Sequence, residues 1–174
     1  METDNEIVPK PIRVLVVDDH PAVRQGLAFL LEPKGILVCA DAGTCADARV
    51  AVEKYHPDMA VVDLSLGDED GISLIADLGG RALPSLAYSI HEDERHVSKA
   101  LEAGAYGYVT KCEAPRVLVQ AILEVAAGRH FISPAASMAL KGQVPDYNQH
   151  IKQETDGYDR LDVEEKKHTG NGRA

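Results

Sequence analysis

The sequence predicts an α/β fold in which a parallel β-sheet carries helices on both faces. Short apolar runs alternate five times with segments whose apolar residues have helical spacing, and each unit takes roughly 20–25 residues. The apolar runs are nearly continuous, as expected for strands covered on both sides. Because parallel strands require crossover connections, five such units form an open, doubly wound sheet of five strands and five helices.

The first three units occupy residues up to about 78. The run IRVLVV at 12–17 is the first predicted strand. The helix after it covers 21–35, with Pro21 suited to a first helical turn and Pro33 and Gly35 suited to its end. Next come a strand at 36–42, a helix at 44–55 with Thr44 as its N-cap, a strand at 57–66 and a helix at 71–78.

The last two units complete the predicted sheet. The fourth strand is predicted at 83–90, and the helix after it at 93–104 ends naturally at Gly104. The fifth strand is predicted at 105–110. The fifth helix, at 114–128, has one apolar face formed by Val117, Ala121, Ile122 and Val125.

The two ends of the chain lack this pattern. Residues 1–10 are predicted to be a flexible arm, and residues 131–174 a polar, largely disordered tail or linker, which leaves 11–130 as the folded domain. The first ten residues are acidic and unlike a signal peptide, and no apolar run is long enough to span a membrane. We therefore expect a cytoplasmic protein with no membrane partner.

Charge and cysteine content exclude other classes. The net charge of −10 argues against broad nucleic-acid binding, which needs clustered Lys and Arg to contact phosphates. Cys39, Cys45 and Cys112 are odd in number and lack metal-ligand spacing, so they are expected to be reduced thiols.

Polar residues follow four of the predicted strands. Asp18 and Asp19 follow the first strand, Asp63 ends the third, Ser89 ends the fourth and Lys111 follows the fifth. The carboxyl ends of parallel strands meet at one edge of the sheet, where ligands of such folds bind. Three carboxylates in one cleft repel each other unless a cation shares the site, and oxygen ligands without His or Cys favour Mg²⁺. Together with a lysine and a hydroxyl, this set can stabilise a phosphoryl group on a carboxylate nucleophile.

Each residue taken alone also has an ordinary structural explanation. The Asp18–Asp19 pair suits a turn or helix cap, Asp63 a strand-end cap, Ser89 the cap of the next helix, Lys111 a solvated charge and Tyr108 the core. The joint occurrence of suitable residue types at four strand ends of one sheet favours the functional interpretation.

Four segments carry a resemblance to a known family: VLVVDDHPAVRQGL, PDMAVVDLSLGDEDGISLI, LAYSIHEDERHVSKALEAGAYGYVTK and VLVQAILEVAAG. Over about residues 12–130 the chain resembles the receiver domain of bacterial two-component response regulators. Within that family it is similar to the NarL/FixJ group, which usually carries a LuxR-type helix-turn-helix. The resemblance implies a flavodoxin-like sheet with strand order 2-1-3-4-5.

The resemblance also implies a role for each site residue. Asp63 corresponds to the phosphoryl acceptor, assisted by Lys111 and Ser89. Asp18, Asp19 and Asp63, with the backbone carbonyl of Ser65, correspond to the Mg²⁺ ligands. Ser89 and Tyr108 correspond to the pair of switch residues. The implied phosphodonor is a sensor histidine kinase or a phosphotransfer protein.

The implied mechanism makes the chain a signalling switch that assists only its own phosphorylation and dephosphorylation, so it is not expected to be an enzyme. Ser89 and Lys111 move towards the new phosphate, and Tyr108 fills the space left by Ser89. This changes the face formed by the fourth helix, fifth strand and fifth helix, through which the family resemblance suggests a homodimer.

Three other functions remain open at this point. One is a DNA-binding transcriptional regulator, because GYDRLDVEEKK at 157–167 faintly resembles the start of a LuxR-type module. No recognition helix follows, so the output domain of such a regulator would be truncated or supplied by a partner. We therefore expect no DNA binding by this chain alone. A small-molecule module is disfavoured because no Gly-rich phosphate loop follows the first strand. A receiver that kept the fold without the chemistry is disfavoured by the complete acidic set.

Overall fold

The computed structural model describes residues 10–140, so most of the predicted arm and the predicted tail from residue 141 onwards lie outside the described residues. The strands are Ile12–Val17 (β1), Ile36–Ala42 (β2), Met59–Val62 (β3), Ser65–Leu66 (β4), Glu69–Asp70 (β5), Ser85–Ser89 (β6), Gly107–Thr110 (β7) and Phe131–Ile132 (β8). The helices are Pro21–Leu31 (α1), Cys45–Tyr55 (α2), Gly71–Gly80 (α3), Glu94–Glu102 (α4), Pro115–Ala126 (α5) and Pro134–Ala139 (α6).

The main sheet has the order β2-β1-β3-β6-β7-β8, and all of its strand pairs are parallel. Its first five members are the five predicted strands in the order 2-1-3-4-5, so the predicted α/β class and topology are confirmed. The two strands β1 and β3 lie inside the sheet, and their side chains are buried on both faces from Val14 to Val17 and from Met59 to Val62. This double burial explains why both strands are continuous apolar runs.

The described residues contain a sixth strand in the main sheet, which the sequence pattern did not predict. β8 pairs with the outer edge of β7, and Phe131 and Ile132 are both buried. α6 follows, with Ser133 as its N-cap. Residues 131–140 therefore belong to the folded unit, whereas the sequence placed them in the tail. Two apolar residues are too few to produce a recognisable strand pattern in the sequence. They form a strand because β7 offers them a free edge for pairing.

The predicted third strand is divided in the structure. β3 ends at Val62, and a separate two-stranded hairpin, β4–β5, follows Asp63 and Leu64. Gly67 turns the hairpin with a φ of 60°, in the left-handed region that glycine adopts without strain. The break leaves Asp63 at the edge of the sheet, between a buried strand and a solvent-facing hairpin.

Side-chain caps start the helices that border this edge. The Thr44 hydroxyl accepts a hydrogen bond from the Asp47 amide at 3.1 Å, which confirms the predicted cap of α2. Asp70 and Asp93 cap α3 and α4 in the same way.

Cys39, Cys45 and Cys112 are free thiols. Burial, followed by the nearby Glu69 carboxylate, raises the pKa of Cys45 to about 11, so this thiol is protonated at neutral pH. Within residues 10–140, no helix has the length and apolar character needed to cross a bilayer.

Candidate functional site

The backbone of the parallel sheet places the predicted site residues along one edge. The Asp63 amide donates to the Val17 carbonyl at 2.8 Å, which extends the β1–β3 ladder by one residue and brings Asp63 beside Asp18. The Lys111 amide donates to the Ser89 carbonyl at 2.8 Å and extends the β6–β7 ladder in the same direction. Residues that are 93 positions apart therefore come into contact.

Lys111 joins the two buried carboxylates of this site. Its Nζ atom lies 2.6 Å from Asp18 Oδ2 and 2.7 Å from Asp63 Oδ2, and Asp18 and Asp63 are only 1% and 4% exposed. Burial by itself lowers the pKa of Lys111, but the hydrogen bonds to both carboxylates outweigh it and hold the pKa above its ordinary value. The ammonium group also lies 5.5 Å from the centre of the Tyr88 ring, within cation–π range. Lys111 is therefore charged and held in place.

The two adjacent carboxylates, Asp18 and Asp19, make different contacts. Asp18 Oδ1 accepts a hydrogen bond from the His20 amide at 2.8 Å. Asp19 Oδ1 lies 2.8 Å from His20 Nδ1 in an ion-pair contact, but this buried oxygen has no hydrogen-bond partner among the described residues. Such an unpartnered carboxylate oxygen is costly unless a cation or water satisfies it.

These residues fit a hard divalent cation. Ligand atoms of Asp18, Asp19, His20 and Asp63 all lie within 4.8 Å of one another. Carboxylate oxygens are the protein ligands that Mg²⁺ prefers, and the unpartnered Asp19 oxygen is free to bind one. The acidic cluster can therefore hold a metal ion, as the sequence predicted.

The carboxylate of Asp63 is oriented from two sides. Its Oδ2 atom accepts from Lys111, and its Oδ1 atom accepts from the Ser65 amide at 3.1 Å. The Ser65 hydroxyl in turn lies 3.1 Å from His91 Nε2. Ser65 is thus in contact with the nucleophile that the sequence proposed, while the role of its carbonyl as a metal ligand stays a prediction.

Ser89 and Tyr108 are both buried and meet through the backbone of a third residue, His91. The Ser89 hydroxyl accepts from the His91 amide at 3.2 Å, and the Tyr108 hydroxyl donates to the His91 carbonyl at 2.8 Å. Burial raises the pKa of Tyr108 to about 12, so its hydroxyl keeps its proton and remains a donor. Among the described residues, the Ser89 hydroxyl is hydrogen-bonded to the His91 amide, and only the Ser89 backbone carbonyl is bonded to Lys111.

Three residues at this edge were not identified from the sequence. His20 contacts the acidic pair, His91 links Ser65, Ser89 and Tyr108, and Gly71 packs against the backbone of Asp63. For His20 and His91 a signal was present, since each stands one or two residues after a site residue at a strand end. Gly71 gave no such signal, because only the packing shows that a side chain there has no room.

Replacing Lys111 by methionine should destabilise the fold. Asp18 and Asp63 would then be buried without a cation, and breaking a buried ion pair from one side typically costs about 3–5 kcal/mol. We expect the free energy of unfolding at neutral pH, measured by urea denaturation in EDTA, to fall by about 3 kcal/mol. The matched control is Lys99→Met, on the exposed face of α4, which should change it by less than about 0.5 kcal/mol. Equal stability of the two variants would contradict the bridging role.

Comparison with known families gives a match over most of the described chain. The model of the response regulator receiver domain matches residues 14–123. The chain is 37% identical over 136 residues to the DNA-binding transcriptional activator DevR/DosR of Mycobacterium tuberculosis, and 32% identical over 139 residues to the probable transcriptional regulatory protein NarL of the same organism. These matches cover 76% and 78% of this chain but only 63% and 64% of the relatives, so the chain spans less than two thirds of their length.

Solved structures give the same family. A LuxR-family two-component response regulator from Aurantimonas is 36% identical, with a TM-score of 0.72 over 75% of this chain and 96% of that one. The receiver domain of NarL from Mycobacterium tuberculosis is 31% identical, with a TM-score of 0.65 over 70% of this chain and all of that one. The isolated receiver domain of RcsB from Salmonella enterica, solved with the phosphate mimic BeF3-, is 26% identical, with a TM-score of 0.69 over 75% of this chain and 99% of that one.

Proposed function

The chain belongs to the response regulator receiver domain family, and on that premise we propose that it is the phosphoacceptor of a two-component phosphorelay, with Asp63 as the residue that is phosphorylated. The observation that carries the proposal is the position of Asp63. Its carboxylate is 4% exposed, is contacted by Lys111 and the Ser65 amide, and lies beside an unpartnered Asp19 oxygen. The phosphodonor would be a histidine kinase or a phosphotransfer protein that carries a phosphohistidine.

In the proposed reaction a carboxylate oxygen of Asp63 attacks the phosphorus in line. The new oxygen–phosphorus bond forms as the nitrogen–phosphorus bond breaks, and the electron pair leaves with the donor histidine. When bound, Mg²⁺ would neutralise charge on the phosphoryl oxygens. Asp18, Asp19, Asp63 and the Ser65 carbonyl are the groups that would hold it.

Lys111 would change partners during the reaction. In the present structure its ammonium group neutralises Asp18 and Asp63, and after phosphorylation it would pair with a phosphoryl oxygen. Ser89 would turn its hydroxyl from the His91 amide towards the same phosphate. Tyr108, anchored on the His91 carbonyl, would respond to that movement. A local change of charge would thus reach the surface around α4, β7 and α5.

Phosphotransfer from a small phosphodonor tests the function. We expect acetyl phosphate with Mg²⁺ to add one phosphoryl group to the wild-type chain, detected by intact mass, and EDTA to prevent the addition. An unmodified chain in Mg²⁺ would support the alternative of a receiver fold without the chemistry.

Replacing Asp19 by asparagine should weaken metal binding. The unpartnered carboxylate oxygen would lose its charge, and we expect Mg²⁺ affinity to fall by at least about tenfold. Because a ligand that binds only the folded state stabilises it, Mg²⁺ should raise the Tm of the wild type more than that of Asp19→Asn. Asp68→Asn, an exposed acid of the β4–β5 turn, is the control and should respond to Mg²⁺ like the wild type. An equal response of all three proteins would remove Asp19 from the metal site.

The output of the proposed switch is transcription. The matched relatives DevR/DosR and NarL are named as transcriptional regulators, and the chain corresponds to 63–64% of their length. The chain carries a net charge of −10, which opposes phosphate contacts, so we propose that it does not bind DNA by itself. A gel-shift experiment at physiological salt tests this, and specific DNA binding by the chain alone would contradict the proposal.

A further inference from the structure

A second cluster of metal-binding side chains lies beside the phosphoacceptor site. Residues 91–96, with the sequence HEDERH, connect β6 to the first turn of α4. Two histidines and an aspartate of this segment, His91, Asp93 and His96, have ligand atoms within 4.8 Å of one another. None of their ring nitrogens or carboxylate oxygens has a part in the proposed phosphotransfer.

The three side chains are held together by specific contacts. The imidazole rings of His91 and His96 are stacked, with 3.9 Å between centroids and 5° between planes. His96 Nδ1 lies 2.6 Å from Asp93 Oδ2, while Asp93 Oδ1 caps α4 by accepting from the His96 amide. The second ring of the stack, His91, is held by the contact of its Nε2 atom with the Ser65 hydroxyl. Such contacts to one ring nitrogen set the orientation of metal-binding histidines.

We propose that His91, Asp93 and His96 form a binding site for a divalent transition-metal ion. Two imidazoles and one carboxylate are a ligand set suited to Zn²⁺, Ni²⁺ and Cu²⁺, in contrast to the oxygen-only set that suits Mg²⁺. When the ion binds, His96 Nδ1 and Asp93 Oδ2 exchange their mutual contact for bonds to the ion, and a proton on Nδ1 passes to Nε2 or to solvent. Three protein ligands leave at least one coordination position for water.

The surroundings give the ion access and a favourable local charge. Ser65, His91 and His96 line a cavity of about 330 Å³, and His91 and His96 are only half-buried. The segment 91–96 carries three acidic residues against one arginine, which favours a cation. Arg95 and Lys99 also line the cavity and oppose it, but both are exposed, so solvent screens their charges.

Binding requires one local rearrangement. A metal ion lies in the plane of each imidazole that binds it, and two parallel stacked rings cannot both point at one ion. One ring therefore turns out of the stack when the ion binds. His96 is the ring that turns, because its side chain is 35% exposed, while Asp93 keeps its place as the N-cap of α4. His91 stays anchored to Ser65.

Zinc titration of three variants tests the site. Isothermal titration calorimetry with Zn²⁺ alone, in buffer that contains excess Mg²⁺ to occupy the acidic cluster, should give one equivalent bound by the wild type. His96→Asn should weaken that binding by at least about tenfold. Two controls should bind zinc like the wild type: His56→Asn, which changes an exposed histidine in a left-handed conformation that asparagine tolerates, and Asp19→Asn, which changes the acidic cluster.

The outcomes separate the two metal sites. Equal zinc affinity of His96→Asn and the wild type overturns the proposal. Loss of zinc binding in Asp19→Asn also overturns it, since it places the ion on the acidic cluster. Cu²⁺ bound to the wild type should show electron-spin couplings to two imidazole nitrogens and to one in His96→Asn, whereas unchanged couplings assign the ion elsewhere. Far-UV circular dichroism verifies that each variant is folded.

Coupling between this site and Asp63 rests on the proposed function. His91 contacts Ser65, Ser89 and Tyr108, so an ion on His91 and a phosphate on Asp63 act on the same loop. By linkage, phosphorylation then changes the zinc affinity by the same factor by which bound zinc changes the equilibrium constant for phosphorylation. The measurement is the zinc affinity of the chain with and without acetyl phosphate. Equal affinities overturn the coupling alone, because zinc binding to the unphosphorylated chain is measured separately.

Discussion

Replacing Asp63 by asparagine is expected to abolish the phosphoryl adduct formed with acetyl phosphate and Mg²⁺. The amide has nearly the same shape as the carboxylate but lacks the charge and the nucleophilic oxygen that attacks phosphorus. Asp18 and Asp19 would not replace it, because Asp18 is held by Lys111 and the His20 amide and Asp19 is a proposed Mg²⁺ ligand. Intact mass after incubation should show the unmodified chain alone.

Asp68→Asn is the matched control for this experiment. Asp68 is an exposed acid five residues after Asp63. Its replacement by asparagine removes the same charge as Asp63→Asn does, but leaves the site unchanged. It should be phosphorylated to the same extent as the wild type. An adduct that persists in Asp63→Asn would show that another residue accepts the phosphoryl group and would contradict the proposed function.

Replacing Gly71 by alanine is expected to destabilise the fold and to disturb the site together. A Cβ atom at position 71 would lie 2.1 Å from the Asp63 carbonyl oxygen and 2.7 Å from Leu64 Cα. Both are backbone atoms, which cannot move aside as the end of a flexible side chain can. Overpacking of this kind typically costs 1–3 kcal/mol and occasionally more, so we expect a loss of about 3 kcal/mol and a fall in Tm of roughly 10 °C.

Gly79→Ala serves as the control for this substitution. Gly79 lies in the same helix, α3, and a Cβ atom there would meet nothing within 4 Å. Because alanine favours helix over glycine by up to about 1 kcal/mol, Gly79→Ala should leave stability unchanged or raise it. Thermal unfolding followed by circular dichroism measures both variants. If Gly71→Ala were as stable as Gly79→Ala, the close packing of α3 on the Asp63 backbone would not constrain the site.

A folded Gly71→Ala population is also informative. The clash falls on the backbone of the proposed nucleophile, so the Asp63 carboxylate would be displaced from Lys111 and the Ser65 amide. We expect phosphorylation by acetyl phosphate to be slower even at temperatures where most of the variant is folded.

The amino-acid sequence determined the sheet and most of the candidate site. Continuous apolar runs at β1 and β3 are required by burial on both faces, so the runs and the residues that end them were visible in one dimension. In a parallel sheet those ends meet at one edge, and this alone predicted the meeting of Asp18, Asp63 and Lys111 that the structure confirms. These predictions did not depend on how the loops fold.

Only the tertiary structure decided the features that depend on a neighbour far along the chain. β8 has two residues and forms because β7 has a free edge, with Gly107 allowing the Phe131 carbonyl to approach to 2.4 Å from where a Cβ would lie. His91 became the link between Ser65, Ser89 and Tyr108 because the loop after β6 folds over the edge of the sheet. Periodicity records which side of an element is buried, whereas these contacts depend on how loops pack, and loop packing leaves no repeating pattern in the sequence.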